Sequence, residues 1–250
     1  MEGLMHSLTG TDVILLAGGQ GTRLQSVVAD LPKPMADISG RPFISHLLQH
    51  LAGEGLSHAI LSVGYKHEAI KQYLCHRHAG MEITYTIEEH PLGTGGGILK
   101  ALYAARTDRA LILNGDTFFA ADLHQMQDFH HEKKARLTMA LRPMQDCSRY
   151  GTVACENGYV TRFEEKRSGT TAGLINGGIY LADRKWLICQ MEALRKAETF
   201  SFENDILPFL PPQTVAGWPD DGFFIDIGIP EDYRKACRLL PELPHSHLEA

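Results

Sequence analysis

The stretch LLAGGQGTRLQSVVADLPKP (residues 15–34) combines three glycines with two cations at a spacing that suits a polyphosphate. Gly18, Gly19 and Gly21 follow a short apolar run, residues 13–17, that reads as a buried strand. Glycine admits backbone conformations closed to other residues, so successive N–H groups can converge on phosphate oxygens. Arg23 and Lys33 add full positive charge: a guanidinium forks onto two oxygens, and an ammonium acts as a point charge. The spacing is not that of a P-loop, because no Lys follows a glycine at the required place. It is not GxGxxG either, because Gly19-Gln20-Gly21 continues as Thr22, Arg23 and Leu24.

Two carboxylates stand out by their surroundings. Asp116 ends the run ALILNGD (residues 110–116), and Asp226 lies inside FFIDIG (residues 223–228). An acid among strand-forming apolar residues needs a partner, because an unpaired buried charge is costly. Two carboxylates beside a phosphate cradle suit Mg²⁺, which takes one or two carboxylates and completes its octahedron with phosphate oxygens and water. The 13 histidines offer rival ligands, notably His76/His78 and His130/His131, but no HExxH pattern occurs and these are expected at the surface. FEEKR (residues 163–167) reads either as a solvated charge run or, together with NGGIY, as part of a sugar site. In NGGIY (residues 176–180) two glycines would let a sugar approach the backbone while Asn176 bonds a hydroxyl. Glu203 in FSFENDILP is either a first-turn helix acid or an acceptor for sugar hydroxyls.

These positions need a frame, and strand-like runs alternating with helical patterns predict a mainly parallel sheet with helices on both faces. Strands are expected at residues 13–17, 59–63, 83–87 and 110–116. Helical stripes run through Phe43, Ile44, Leu47, Leu48 and Leu51, then through Ile70, Tyr73 and Leu74. HPLGTGGG (residues 90–97) is expected as a second glycine-rich loop leading into a helix. In the second half Asn157-Gly158 marks a hairpin turn, the sheet is expected to become mixed, and a last helix spans about residues 230–240. In such a sheet ligands bind beyond the carboxyl ends of the strands, where the unusual residues cluster.

A chain of 250 residues, 44% hydrophobic, has enough material for one α/β domain with its own core. The formal charge of −6 argues against a nucleic-acid or anionic-membrane surface, so a polyanion must be met by local cations. Five widely spaced cysteines without a CxxC pair fit reduced, cytoplasmic usage, and no run resembles a signal peptide or a membrane span. The expected partners are small molecules, with neither nucleic acid nor membrane, and the sequence leaves a homo-oligomer open.

LAGGQGTRL with PKP, GTGGG, NGD, EEK, NGGIY, FEND and DIG occur in the order found in sugar-1-phosphate nucleotidyltransferases, and the chain resembles that family to about Arg238. Its phrasing, LPKPMADISGRPF with HPLGTGGGI, is most similar to the D-glycero-D-manno-heptose 1-phosphate guanylyltransferases. Mannose-1-phosphate guanylyltransferases and other hexose-1-phosphate enzymes using UTP or dTTP are its neighbours. The resemblance implies a single Rossmann-like domain of the nucleotide-diphospho-sugar transferase type, with a mixed, mainly parallel sheet and a small sugar-binding lobe. Residues 11–135 would form the nucleotide half and 136–240 the sugar-phosphate half, with 241–250 a frayed tail. It implies GTP and a sugar 1-phosphate as substrates and Mg²⁺ as cofactor. The nucleotide would lie on Leu16, Ala17, Gly18, Gly19, Gly21, Thr22, Arg23, Gly93, Thr94, Gly95 and Gly96. The sugar phosphate would meet Asn114, Gly115, Gly151, Glu165, Lys166, Asn176, Gly177 and Glu203. Arg23, Lys33, Asp116 and Lys166 would carry the catalysis, and Asp116 and Asp226 the metal. A glycosyltransferase would share the sheet and the metal but does not need the polyphosphate apparatus, and a non-catalytic sensor would have lost these acids and cations.

Overall fold

The computed structural model describes residues 8–19, 31–164 and 172–242. Fourteen strands and six α-helices are formed among them. The strands are β1 (Thr11–Ala17), β2 (Asp37–Ile38), β3 (Arg41–Pro42), β4 (His58–Val63), β5 (Arg77–His78), β6 (Met81–Ile87), β7 (Arg109–Asn114), β8 (Thr117–Phe119), β9 (Leu137–Met144), β10 (Thr152–Glu156), β11 (Tyr159–Glu164), β12 (Gly173–Asp183), β13 (Val215–Pro219) and β14 (Phe224–Asp226). The helices are α1 (Phe43–Gly53), α2 (His67–Leu74), α3 (Gly93–Ala104), α4 (Leu123–Glu132), α5 (Arg184–Leu194) and α6 (Pro230–Leu239).

Ten strands form one sheet in the order β10-β11-β13-β9-β12-β7-β1-β4-β6-β5. Pairing is parallel through β6, β4, β1 and β7, where each strand is followed by a helical crossover. β12 then enters antiparallel between β7 and β9, so the two halves of the chain share one sheet. From there the pairing is mostly antiparallel, and β9 with β13 is the parallel exception. Two short ribbons, β8 with β14 and β2 with β3, stand apart from it.

The strand VILLA is buried on both faces, as its unbroken apolar run requires. Val13 and Leu15 pack into one core with α1, α2 and α4, whereas Ile14 points into a second core with α3 and α5. A third, smaller core gathers Phe43, Phe118, Ile225, Ile227 and Ala236, and this fixes α6 and the β8–β14 ribbon beneath the sheet edge. The Asn157-Gly158 hairpin forms as the dipeptide predicts, with both residues at positive φ (54° and 83°).

Two expectations are corrected. GTGGG is no loop: it forms the first turn and a half of α3, with Gly95, Gly96 and Gly97 buried. His130 is not a surface residue, since it is buried with Nδ1 2.8 Å from Thr138 Oγ1. Apart from Pro241 and Glu242, which close a 3₁₀ turn after α6, the expected tail lies outside the described residues.

Candidate active site

A cleft of about 710 Å³ opens at the carboxyl ends of β1 and β7, the edge where a parallel sheet presents its ligand site. Of the expected residues, Leu16, Gly18, Gly19, Lys33, Gly93, Thr94, Asn114, Gly115, Asp116, Glu203 and Asp226 line it. Gly21, Thr22, Arg23, Glu165 and Lys166 lie outside the described residues. Ala17, Gly95 and Gly96 are buried behind the lining, and Gly151, Asn176 and Gly177 stand outside it. Glu88, Pro34, Pro91 and Gly228 line the cleft without having been singled out in the sequence.

Three charged groups converge at its floor. The β8–β14 ribbon pairs Thr117 with Asp226, and the Ile227 amide donates to the Asp116 carbonyl, so the two acids meet from distant parts of the chain. Lys33 opens the 3₁₀ turn Lys33–Met35, whose Pro34 and Met35 are buried, and this anchors its backbone. Its Nζ lies 2.6 Å from Asp116 Oδ2 and 3.6 Å from Asp226 Oδ1. Asp226 Oδ1 also accepts from the Gly228 amide at 2.7 Å. A Cβ on Gly228 would stand 2.8 Å from that oxygen and 3.2 Å from Lys33 Nζ, so this glycine leaves room for the cluster.

Two carboxylates already converging on an ammonium present hard oxygens to one cationic point, which fits a divalent metal. No group of three His, Cys, Asp or Glu side chains able to hold a metal occurs among the described residues. A divalent metal held by one or two carboxylates usually completes its shell with phosphate oxygens and water.

The glycines around the cleft answer to close neighbours. Neither Gly18 nor Gly19 has positive φ. A Cβ at Gly18 would come 2.7 Å from Glu88 Oε1, so that carboxylate would have to move aside. Gly115 donates to the Leu16 carbonyl at 3.0 Å, and a Cβ there would overlap that carbonyl. Gly93 (φ +72°) and Gly95 lie under Phe200, whose carbonyl accepts from the Gly95 amide at 2.9 Å and whose ring would collide with a Cβ at Gly95. Close packing of the Phe200 segment thus explains why a helix starts on residues of poor helix propensity.

Glu88 is the acid that sequence reading missed, because EEH before a proline looks like a solvated turn. Its Oε1 accepts from Ser62 Oγ at 2.9 Å and its Oε2 from the Leu92 amide at 3.1 Å, so it buttresses both glycine segments. Opposite, Glu203 Oε2 accepts from Thr94 Oγ1 at 2.6 Å, and Thr94 Oγ1 in turn accepts from the Phe202 amide at 2.9 Å. Glu203 belongs to a π-helical turn, Phe202–Ile206, entered through a Ser201 side-chain cap. Such turns recur at functional sites.

Asn176 is bonded within its own strand. Its Oδ1 accepts from the Gly178 amide and its Nδ2 donates to the Tyr180 hydroxyl, so both ends of the amide hold the bulge in β12. That bulge presses Gly178 against Asn114, and Gly177 against Phe119, one layer behind the cleft. Tyr150, next to Gly151, was also missed. Burial pushes its phenol pKa up, and the negative charge of Asp226 pushes the same way.

The cleft lies at the carboxyl edge of a mixed α/β sheet, with Gly18, Gly19 and a carboxylate pair in its lining, and the chain belongs to the nucleotidyl transferase family, whose model matches residues 12–242. Among its relatives is the D-glycero-α-D-manno-heptose 1-phosphate guanylyltransferase of Aneurinibacillus thermoaerophilus, 46% identical over 94% of this chain and 99% of that protein. The Campylobacter jejuni protein of the same name is 42% identical over 88% of this chain and 96% of its own length. A crystal structure of HddC from Yersinia pseudotuberculosis, complexed with GMP-PN, is similar with a TM-score of 0.80 and 35% identity, covering 91% of this chain and 98% of that one. The family generally uses a divalent metal. No helix among the described residues is long and apolar enough to cross a membrane.

Proposed function

We propose that this protein joins GTP to D-glycero-D-manno-heptose 1-phosphate, forming the GDP-heptose and releasing pyrophosphate. The convergence of Lys33, Asp116 and Asp226 at the floor of the cleft carries this reading. Likeness to two heptose 1-phosphate guanylyltransferases over nearly their whole length supports the choice of sugar and base.

In this reaction a sugar-phosphate oxygen attacks the α-phosphorus of GTP in line. The new P–O bond forms as the bond from the α-phosphorus to the bridging oxygen breaks, and pyrophosphate leaves with that electron pair. The nucleophile is already ionised, so no protein nucleophile is needed, and no Ser, Cys or His is found among the described lining residues. Catalysis then consists of positioning and charge neutralisation. Lys33 is placed to donate to the phosphate under attack, Arg23 would hold the departing pyrophosphate, and Lys166 the sugar phosphate. Asp116 and Asp226 would hold Mg²⁺, which when bound neutralises charge on the phosphates.

The nucleobase would lie between the first glycine turn and α3. Glu88 gives that wall a reader: a carboxylate has lone pairs beyond the bonds from Ser62 and Leu92. Guanine presents N1–H and the N2 amino group side by side, a pair of donors that adenine, uracil and cytosine lack. Glu203, hydrogen-bonded to Thr94, would take sugar hydroxyls together with Gly151. Residues 11–135 act as the nucleotide half and 136–240 as the sugar-phosphate half, and the enzyme works in the cytoplasm.

The test is pyrophosphate release from a matrix of GTP, UTP, CTP, ATP and dTTP against heptose, mannose and glucose 1-phosphates. The highest kcat/KM is expected for GTP with the heptose phosphate. Failure of that pair beside success of another overturns the substrate assignment.

A further inference from the structure

One ion pair outside the cleft lining ties its two sides together. Arg149 lies in the short connection between β9 and β10 that ends at Gly151. Its Nη1 donates to Asp232 Oδ2 at 2.6 Å. Asp232 stands in the first turn of α6, and its carboxylate is 12% exposed. The neighbouring Tyr150 packs edge-on against Phe224, with ring centroids 6.1 Å apart, and the Arg149 guanidinium lies 5.5 Å from the Tyr150 ring centroid. Phe224 and Asp232 flank Asp226 in the chain, so this one dipeptide grips the carboxylate-bearing segment before and after its acid.

The other side of that segment is fixed by the backbone, through the Ile227 amide on the Asp116 carbonyl and the Gly228 amide on Asp226 Oδ1. Among the described residues, the other hydrogen bonds of this connection are local: the Tyr150 amide donates to the Cys147 carbonyl, and the Ser148 amide to Asp146 Oδ1. Those bonds set the shape of the turn, not its place against β14. Arg149 and Tyr150 supply that placement. The Arg149 side chain is 45% exposed, and an ion pair half in water contributes little to global stability. Asp232 has a second cation, Lys235 Nζ at 3.5 Å, so its charge does not depend on Arg149 alone. Arg149 provides the polar part of the geometric tie, beside the Tyr150–Phe224 ring contact.

We propose that Arg149 is a positioning residue for the transfer reaction. By gripping Asp232 and stacking on Tyr150, it sets the turn leading to Gly151 against the strand that carries Asp226, and so aligns the sugar-phosphate side of the cleft with the carboxylate pair. This rests on the reading of the cleft given above. Arg149 touches no reacting atom in this account. Burial and the Asp226 charge both favour the protonated phenol at Tyr150, which agrees with a neutral ring wedged beside the acid.

The test compares Arg149→Met, which keeps the apolar stem over Tyr150, with Arg149→Lys and Asp232→Asn. Arg149→Met and Asp232→Asn should each raise the KM for the sugar 1-phosphate about tenfold while leaving the KM for GTP within about twofold, because misplacement acts on one substrate. Calorimetric titration of the sugar 1-phosphate should show the same weakening, Arg149→Lys should recover part of it, and Tm should change little. Unchanged sugar-phosphate KM in both variants, an equal rise for both substrates, or losses that follow Tm alone overturn the proposal. Asp116→Asn is assayed alongside. Normal turnover by that variant means the reading of the cleft has failed, whereas an inactive Asp116→Asn beside a normal Arg149→Met means that only the positioning role has failed.

Discussion

Lys33 Nζ stands 2.6 Å from Asp116 Oδ2, with Asp226 Oδ1 3.6 Å away on its other side. The ammonium therefore occupies the point on which both carboxylates converge, and the side chain given to phosphates by its sequence context is here neutralising acids. Either acid of this cluster can be removed without leaving Lys33 unpaired, since both acids share that cation. That property makes the cluster open to substitution tests.

Asp116→Asn is expected to lower turnover about a hundredfold or more, the scale of removing an electrostatic partner of the reacting phosphates. Lys33 keeps Asp226 as its partner, so the fold should survive. Pyrophosphate release and far-UV circular dichroism report the two effects separately. Near-wild-type release from the folded variant would falsify the role of Asp116.

Glu88→Gln tests base reading. An amide offers one acceptor where the carboxylate offers two, so discrimination of GTP over ATP and UTP should fall by about tenfold or more, equivalent to about 1–3 kcal/mol for a lost bidentate contact. The measurement is the ratio of kcat/KM values. A preserved ratio refutes the assignment even if overall activity drops.

Two glycine substitutions should behave in opposite ways. Gly115→Ala forces a methyl group into the Leu16 carbonyl and should destabilise the fold by about 1–3 kcal/mol. Gly19→Ala meets nothing within 4 Å among the described residues and needs no positive φ. Its stability should change by less than about 0.5 kcal/mol. If Gly19 borders the nucleotide, the KM for GTP should still rise. Urea denaturation and steady-state kinetics check each half, and equal stability losses in both variants would contradict the packing account.

Acid should weaken the fold through His130. Burial pushes this imidazole down to about 4 from its ordinary 6.5, although Asp183 pulls it up. Between those values the unfolded chain binds more protons than the folded one, so stability falls as pH falls through the window and levels off below it. Burial lowers His78 as well, which adds in the same direction. Between about pH 7.5 and about pH 5 the expected loss from His130 is about 2 kcal/mol. His130→Gln should flatten much of this slope in urea titrations at the two pH values, and an unchanged slope would count against the buried neutral imidazole.

Periodicity made most elements legible. Alternation in Ile83, Tyr85 and Ile87 and the stripe from Phe43 to Leu51 correspond to β6 and α1, because their patterns match the burial that the sheet and its helices impose. Glycine proved harder to read. Gly18 looked like a conformational need, yet it has no positive φ and instead lets the Glu88 carboxylate approach closely. GTGGG looked like a loop and is a helix, because Phe200 packs closely across it. The hydrogen bonds of Asn176 across the β12 bulge were not legible either, since Gly178 and Tyr180 lie within its reach only once β12 is bent.

By itself the sequence determined which chemistry this protein carries: the cations, the carboxylates and the glycines, in an order and spacing that suit a polyphosphate and a sugar phosphate. It also determined the layered α/β architecture, since hydrophobic period and turn residues are local properties of the chain. Tertiary structure alone decided which of these residues share a cleft and what each one does there. Lys33 meets Asp116 and Asp226 because a ribbon and a buried 3₁₀ turn bring them together, and Glu88 joins the site by packing on a glycine. Such relations depend on distances between residues far apart in the chain, which no local pattern encodes.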